Sequence, residues 1–251
     1  MKNLLYCLTA TALIAGCTKD DATTADPNPT YTGTAQVLGG GKVFSWMKFT
    51  ADKPTALGLT FTKGAFDNLS HNGGTDLIVA LPAEAMGKTA FDHVFLNFSH
   101  TGHEPPGIYD IAHFDMHFMM QPNAERSAIP PYAANTAAKF DNLPPDGIMP
   151  KPYFRLPGGV PLNGVHWADP TSPELNGKKF TTTLIMGSYE GKMTFVEPMI
   201  TLALLQNKPD LTMPIPVPTK FAKAGYYPMS YSIKQVGDDV VVSLDGLMMM
   251  Q

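Results

Sequence analysis

The sequence predicts a mainly β protein, an antiparallel β-sandwich or barrel-like domain with one long proline-rich loop and one or two short helices. The first observation behind this prediction is the high content of turn residues, with 22 glycines and 23 prolines in 251 residues. Because proline breaks helices and both residues favour turns, few stretches can form a long helix. The second observation is that short apolar or alternating stretches recur between these turns, as in antiparallel sheets.

Ten segments have the alternation, or the β-branched and aromatic content, of strands. In chain order they are residues 35–38, 43–49, 56–62, 76–81, 93–98, 111–119, 180–189, 192–197, 231–236 and 240–244. The last two are separated by Gly237-Asp238-Asp239, which predicts a tight hairpin because glycine readily adopts positive φ. A second hairpin is predicted at residues 187–191, Gly-Ser-Tyr-Glu-Gly.

Helices are predicted to be few and short. Residues 123–128 are one candidate, and residues 199–205 are another that is apolar on more than one side. Residues 130–161 have little periodicity and many prolines: Pro130, Pro131, Pro144, Pro145, Pro150, Pro152, Pro157 and Pro161. A structureless loop of this length is more often functional than idle, so we expect it to cover a site or to reach a neighbouring subunit.

The first 16 residues are predicted to be a signal peptide outside the fold. Lys2 gives a positive start, and residues 4–14 form an apolar run shorter than the ~20 residues of a membrane-spanning helix. Residues 13–17, Leu-Ile-Ala-Gly-Cys, then resemble a bacterial lipobox. We therefore predict cleavage before Cys17 and lipidation of its thiol, with the membrane as a partner through this lipid anchor.

The residues after the cysteine predict a tether and one domain. Residues 17–33 are polar and predict a flexible tether, which leaves residues 34–251 as a single β-rich domain. The Lys19-Asp20-Asp21 cluster resembles the export signal of Bacteroidota surface lipoproteins. We therefore expect a cell-envelope location, in the outer membrane of a Gram-negative bacterium, either periplasmic or surface-exposed. A net charge of −4 without a basic cluster argues against a nucleic-acid partner.

Histidines are concentrated in one part of the chain, with acidic residues among them. Five of the seven lie between residues 93 and 117, and another follows at His166. The five are His93, His100, His103, His113 and His117, and the interleaved carboxylates are Glu104, Asp110 and Asp115. Imidazole and carboxylate groups together are typical ligands of divalent Zn, Fe, Mn or Cu. The pattern therefore predicts a transition-metal site, and the alternative is that these histidines only form hydrogen bonds.

The segment His113-Phe114-Asp115-Met116-His117-Phe118 alternates strictly between polar and apolar residues. On a strand the polar residues share one face and the apolar residues share the other. Residues two apart lie ~6.6 Å from each other and residues four apart ~13 Å. His113 and His117 are therefore poorly placed to chelate one ion together, and the site must draw on other segments.

We predict that the metal site draws on His103, His113, His117 and His166. Glu104 or Glu197 is expected to supply the carboxylate. A ligating imidazole usually donates its second N–H to a carboxylate or a carbonyl. Asp115 and Asp169 are the predicted partners of this kind, and Asp115 is alternatively a ligand itself.

Four motifs recur in one family: residues 103–109 (His-Glu-Pro-Pro-Gly-Ile-Tyr), 113–118 (His-Phe-Asp-Met-His-Phe), 166–174 (His-Trp-Ala-Asp-Pro-Thr-Ser-Pro-Glu) and 195–201 (Phe-Val-Glu-Pro-Met-Ile-Thr). They resemble an uncharacterised family of exported bacterial proteins, whose members include a stress-regulated Thermus protein that assembles as a ring. The resemblance covers most of the chain from residue 34. This chain has Ala112 and Met116 where the family usually has proline and an aromatic residue. The resemblance implies one fold unit and a homo-oligomer, and it implies no reaction.

Two function classes remain open on the sequence. In the first, a metal held by three ligands activates water, as in a metal-dependent hydrolase or hydratase. In the second, the chain is a non-catalytic structural or interaction lipoprotein that self-assembles through its proline-rich loop and its apolar C-terminal tail. A serine hydrolase is not favoured, because no Gly-x-Ser-x-Gly elbow is present. Whether the protein is an enzyme stays undecided at this point.

Overall fold

The computed structural model describes residues 26–71 and 74–251. Two seven-stranded antiparallel sheets pack face to face as a sandwich, and a two-stranded ribbon lies beside them. The prediction of a mainly β fold with short helices is therefore confirmed. Most strands follow one another closely along the chain, as the spacing of glycine and proline predicts, and the longest interval lies between residues 119 and 154.

Sixteen strands are described in chain order. They are β1 (Thr30–Thr32), β2 (Gln36–Leu38), β3 (Gly41–Thr50), β4 (Lys53–Phe61), β5 (Thr75–Ala80), β6 (His93–Ser99), β7 (His113–Met119), β8 (Phe154–Arg155), β9 (Val165–Ala168), β10 (Thr182–Tyr189), β11 (Lys192–Thr201), β12 (Asp210–Pro214), β13 (Gly225–Tyr227), β14 (Ser230–Val236), β15 (Asp239–Asp245) and β16 (Met248–Met250). The first sheet has the order β1-β3-β4-β15-β14-β12, with β2 also paired to β3. The second sheet has the order β5-β6-β7-β11-β10-β9-β8, and β13 pairs with β16.

The three α-helices are short, with five residues each. They are α1 (Asn123–Ser127), α2 (Ala137–Asp141) and α3 (Leu202–Gln206), and two 3-10 turns span Ala83–Ala85 and Pro173–Asn176. The predicted helix at residues 123–128 corresponds to α1. No helix in the described part of the chain is long and apolar enough to cross a membrane.

The main core lies between the two sheets. From the first sheet it receives Leu59 and Phe61 of β4, and from the second sheet Phe114 and Phe118 of β7. The rings of Phe61 and Phe114 meet edge to face with centroids 5.7 Å apart, which is a favourable aromatic geometry. Because side chains alternate across a strand, this packing turns His113, Asp115 and His117 to the opposite face of the second sheet.

All ten predicted strands form, and the structure adds six that the sequence analysis did not identify. The added strands are β1, β8, β9, β12, β13 and β16, each of two to five residues, too short to show a period. The helical prediction for residues 199–205 is partly wrong. Residues 199–201 belong to β11, and the helix begins only after Thr201, whose hydroxyl accepts a hydrogen bond from the Leu204 amide at 3.3 Å.

The tether predicted for residues 17–33 ends earlier than we expected. Its last residues form β1, which pairs with β3 through Thr30–Lys48 and Thr32–Trp46. The Tyr31 ring packs against Phe49 with centroids 5.7 Å apart. The fold therefore begins before residue 34, because this short stretch adds a strand to the edge of the first sheet. The predicted signal peptide, the lipobox and Cys17 lie outside the described residues.

Candidate metal centre

The candidate site lies on the outer face of the second sheet, opposite to the main core. Strand β7 occupies the middle of this sheet between β6 and β11. Across β7 and β11, Phe118 pairs with Val196 and Asp115 pairs with Met199. Glu197 is therefore carried to the side of His117, although 80 residues of chain separate the two.

His166 reaches the same place from the far side of β10. It lies on β9, opposite Gly187 of β10, and Gly187 in turn lies opposite Phe195 of β11. A Cβ atom on Gly187 would overlap the ring of Phe195, so only glycine leaves room for that ring. The β-bulge at Gly187 and Ser188 shifts the register beside this position. As a result the imidazole of His166 extends across the strand toward Glu197.

We call His117, His166 and Glu197 the inner triad. Nε2 of His117 lies 3.3 Å from Oε1 of Glu197, and Nε2 of His166 lies 3.7 Å from Oε2 of the same carboxylate. One ligand atom from each residue falls within 4.8 Å of the other two, a spacing that allows one metal ion to be shared. His117 and Glu197 are each only 2% exposed.

The inner triad leaves buried lone pairs without partners. Nδ1 of His117 donates to the backbone carbonyl of Phe95 at 3.3 Å, so Nε2 carries a lone pair and no proton. Nε2 of His117 and Oε2 of Glu197 are both buried and form no hydrogen bond. Two acceptors that face each other repel unless a proton or a cation lies between them. Such orphaned groups are costly inside a protein.

The environment drives all three members of the inner triad toward their neutral forms. Burial lowers the pKa of His117 to about 3 and that of His166 to about 4. Burial also raises the pKa of Glu197 well above its usual value, and the charge of Asp115 raises it further. Neutral imidazole is the form that binds metal, so both histidines are ready to act as ligands at neutral pH.

We call His103, His113 and Asp115 the outer triad, which also meets the spacing for a shared ion. Nε2 of His113 lies 3.1 Å from Oδ1 of Asp115, and Nε2 of His103 lies 3.5 Å from Oδ2. Nδ1 of His113 contacts the carbonyl of Ile111 at 2.6 Å, and Nδ1 of His103 contacts that of Glu104 at 2.8 Å. The side chain of His103 is 40% exposed and comes from the loop before β7.

The outer triad can compensate its own charges. Burial raises the pKa of Asp115, but hydrogen bonds and charge from His103 and His113 outweigh this effect and leave it well below its usual range. For His103, burial lowers the pKa, but the hydrogen bond and the charge of Asp115 outweigh burial and leave it raised. His103 and Asp115 can therefore form an ion pair in the absence of a metal. This distinguishes the outer triad from the inner one.

The structure divides the predicted ligands into two groups. His117, His166 and Glu197 come together, and His103 and His113 come together with Asp115, which was predicted to be a ligand or a partner of a ligand. This division follows from the spacing of His113 and His117 along one strand. Glu104 and Asp169 join neither group: Glu104 is exposed beside His103, and Asp169 accepts hydrogen bonds from Thr171.

Both triads border one cavity of about 600 Å³. The proline-rich loop forms part of its wall through Leu156, Pro157, Val160 and Pro161. Other wall residues are apolar side chains of the sheet, including Phe95, Ile185 and Met199. This volume is typical of sites for small organic molecules. The arrangement therefore places two potential metal sites at the base of an apolar cavity.

Two supporting features escaped the sequence analysis. Tyr109 donates a hydrogen bond to Glu174 at 3.2 Å, and both side chains are buried. This bond ties the loop that carries His103 to the segment that follows β9. Gly187 is the second feature, because its lack of a side chain makes room for Phe195 beside His166. Tyr109 and Glu174 belong to the motifs at residues 103–109 and 166–174. In contrast, no feature of the sequence distinguishes Gly187 from the other glycines.

Comparison with protein-family models, with curated proteins and with solved structures found no match to this chain.

The buried histidines predict an acid-sensitive fold when no metal is bound. In the folded protein the pKa values of His117 and His166 lie below the usual 6.5, so as pH falls these two histidines are protonated first in the unfolded chain. The free energy of unfolding is therefore highest above pH 6.5 and decreases as pH falls toward about 4. Each such histidine contributes ~1.4 kcal/mol per pH unit in this window. We expect His117→Gln to flatten the pH dependence of the unfolding free energy by about that slope, measured by urea unfolding with EDTA. His71→Gln, at an exposed histidine, is the control, and equal slopes in wild type and His117→Gln would contradict the assignment.

The room left by Gly187 predicts a steric test. In Gly187→Ala the added methyl group would displace the Phe195 ring, which contacts the rings of His117 at 4.8 Å and His166 at 5.3 Å. We expect a loss of ~1–3 kcal/mol in unfolding free energy, typical of overpacking, and weaker zinc binding in a competition assay with a chromogenic chelator. Gly225→Ala is the control because its Cβ would meet only ordinary contacts. Unchanged zinc affinity in Gly187→Ala would show that Phe195 does not position the triad.

Proposed function

We propose that this chain binds a divalent transition metal at the inner triad and is a metal-dependent hydrolase or hydratase. One observation carries the proposal: Nε2 of His117 and the carboxylate of Glu197 are buried 3.3 Å apart, and the Phe95 carbonyl fixes the tautomer that leaves Nε2 unprotonated. A cation between them would satisfy both acceptors. The Phe95 carbonyl would then play the supporting role that such groups have at ligating histidines.

The donor set agrees with this assignment. Two imidazole nitrogens and one carboxylate oxygen suit Zn, Fe, Mn or Cu. His117, His166 and Glu197 would hold the metal, and the side toward the cavity would remain open to a water or a substrate oxygen. A metal held in this way supplies Lewis acidity and lowers the pKa of bound water. The apolar walls would exclude bulk water and strengthen electrostatic interactions with the substrate.

The outer triad would assist by handling protons. The imidazole of His103 borders the same cavity, and its Nε2 faces Asp115 at 3.5 Å. A histidine that is oriented by a carboxylate can accept a proton from a nucleophile and return it to a leaving group. The outer triad also has the spacing of a metal site. We assign the first bound ion to the inner triad because His103 can offer Asp115 a positive charge within the outer group, whereas burial lowers the pKa of both histidines of the inner group.

The location and assembly of the protein are also part of the proposal. The signal-peptide pattern and the lipobox support export and a lipid anchor at Cys17, in the outer membrane of a Gram-negative bacterium. The four motifs support membership of the exported family named above and a homo-oligomeric state. Half-exposed Met248 and Met249 on β16 are apolar surface that would suit such an interface.

Metal content tests the proposal directly. The domain from Asp26, purified without a histidine tag or chelator, should contain about one equivalent of Zn, Fe, Mn or Cu in elemental mass spectrometry. His117→Gln and Glu197→Gln should each abolish this binding while the circular dichroism spectrum stays that of a β protein. His93→Gln is the matched control, since His93 is also buried but contacts Asp92 and belongs to neither triad.

A folded wild-type domain that contains no metal and takes up none when zinc is added would overturn the metal proposal. The rival would then gain support, namely a non-catalytic lipoprotein that self-assembles. For that rival, deletion of residues 130–161 or replacement of Met248 and Met249 should abolish the oligomer in analytical ultracentrifugation. Under the metal proposal, the metal content should not depend on these two methionines.

The lipid anchor has a separate test. Cells that express the full chain with tritiated palmitate should label the protein, and Cys17→Ser should abolish the label and release the domain from the membrane fraction. Cys7→Ser is the control, because Cys7 is predicted to leave with the signal peptide. Labelling that survives Cys17→Ser would exclude this residue as the anchor.

A further inference from the structure

The cavity above the two triads has an uneven charge. Its lining includes four carboxylates, those of Asp76, Glu104, Asp115 and Glu197, and no lysine or arginine of the described ranges. Asp115 and Glu197 belong to the triads at the floor. Asp76 and Glu104 are exposed, so they lie toward the solvent side of the cavity. The acidic groups are thus found both at the base and at the rim.

The rim carboxylates form no ion pair with a lysine or arginine among the described residues. Asp76 accepts a hydrogen bond from the side-chain amide of Asn97. Arg126 is close enough to interact with Asp76, but it packs over the ring of Phe95 at 4.2 Å and does not line the cavity. The rim therefore presents negative charge to a ligand.

The floor carries the observation that points to a ligand. Nε2 of His117 and Oε2 of Glu197 are buried without hydrogen-bond partners, and both residues line the cavity. Between floor and rim the wall is apolar, with Leu156, Val160, Leu162, Ile185 and Met199. A molecule that fits this cavity therefore has a metal-binding group at one end and an apolar body, and its other end carries no negative charge.

We infer that the substrate of this site is a small, largely apolar molecule with a protonated amine, whose metal-binding oxygen reaches the inner triad while the amine faces Asp76 and Glu104. This inference rests on the proposed metal site and names its substrate class. Anionic substrates would be disfavoured, because the lining offers a carboxylate or phosphate group no lysine or arginine, and the imidazole of His103 already faces Asp115 at 3.5 Å. Exposed charge pairs act weakly and are screened by salt. The preference should therefore be moderate and dependent on ionic strength.

Three hydroxamates test the inference, since the hydroxamate group binds the metal in each. The full-length protein loaded with zinc is titrated calorimetrically with 4-(aminomethyl)benzohydroxamic acid, benzohydroxamic acid and 4-carboxybenzohydroxamic acid. We expect affinity to fall in that order, with the cation about tenfold tighter than the anion at low salt and a smaller ratio at high salt. Equal affinities, or tighter binding of the anion, would overturn the inference.

Substitutions at the rim distinguish a specific effect of Asp76 and Glu104 from an effect of the protein's net charge. Asp76→Asn combined with Glu104→Gln should bring the ratio of cation to anion affinity close to one. Glu84→Gln combined with Asp210→Asn removes the same formal charge from exposed positions outside the cavity and should keep the wild-type ratio. If both double variants change the ratio equally, net charge accounts for the preference and the rim site is refuted.

The zinc content of each sample is measured beside the titrations. Protein that holds no zinc would refute the proposed metal centre itself. Protein that holds zinc and shows no preference for the cation would refute only the substrate class. The two failures can therefore be told apart in one set of samples.

Discussion

The alternation of residues along β7 is the constraint on which the rest of the structure depends. Phe114, Met116 and Phe118 are fully buried between the two sheets, and this burial turns His113, Asp115 and His117 outward. A shift of the register by one residue would move every side chain to the opposite face and bury the polar set in the main core. The burial of these three apolar side chains stabilises the fold, and it also fixes the orientation of three potential ligands. Stability and chemistry are coupled in one strand, so loss of its apolar face would also misplace its polar face.

The two triads have the same composition, two histidines and one carboxylate, but their surroundings give them different properties. The outer triad includes an exposed histidine from a loop, and its carboxylate stays ionised beside that histidine. The inner triad is enclosed by the sheet and by Phe195, and burial opposes charge on each member. A bound cation would favour the ionised form of Glu197, whose neighbouring histidines are kept neutral by burial, more than that of Asp115, which already faces His103. Equal ligand sets can therefore differ in metal affinity through burial alone.

Much of the fold could be predicted from the sequence, because the strands that matter most are long enough to show alternation. The segment from His113 to Phe118 predicted its own two faces, and the spacing of His113 and His117 predicted that they would not chelate one ion. The pairing of distant strands could not be predicted in the same way. Glu197 meets His117 only because β11 lies beside β7, and His166 reaches them only across Gly187. Asp115 lies close enough to share an ion with His103, but His103 belongs to a loop without periodicity, so this contact had no signal in the sequence. Such contacts depend on tertiary packing and leave no periodic signal along the chain.

The prolines in the wall of the cavity have a consequence for the energetics of binding. Proline has a fixed φ and little freedom to lose, so a wall that contains Pro105, Pro157 and Pro161 is already restricted before any ligand arrives. The conformational entropy of this wall is lost when the chain folds and need not be lost again during association. The cavity can therefore bind a small molecule without the ordering cost that a flexible loop would add to each binding event.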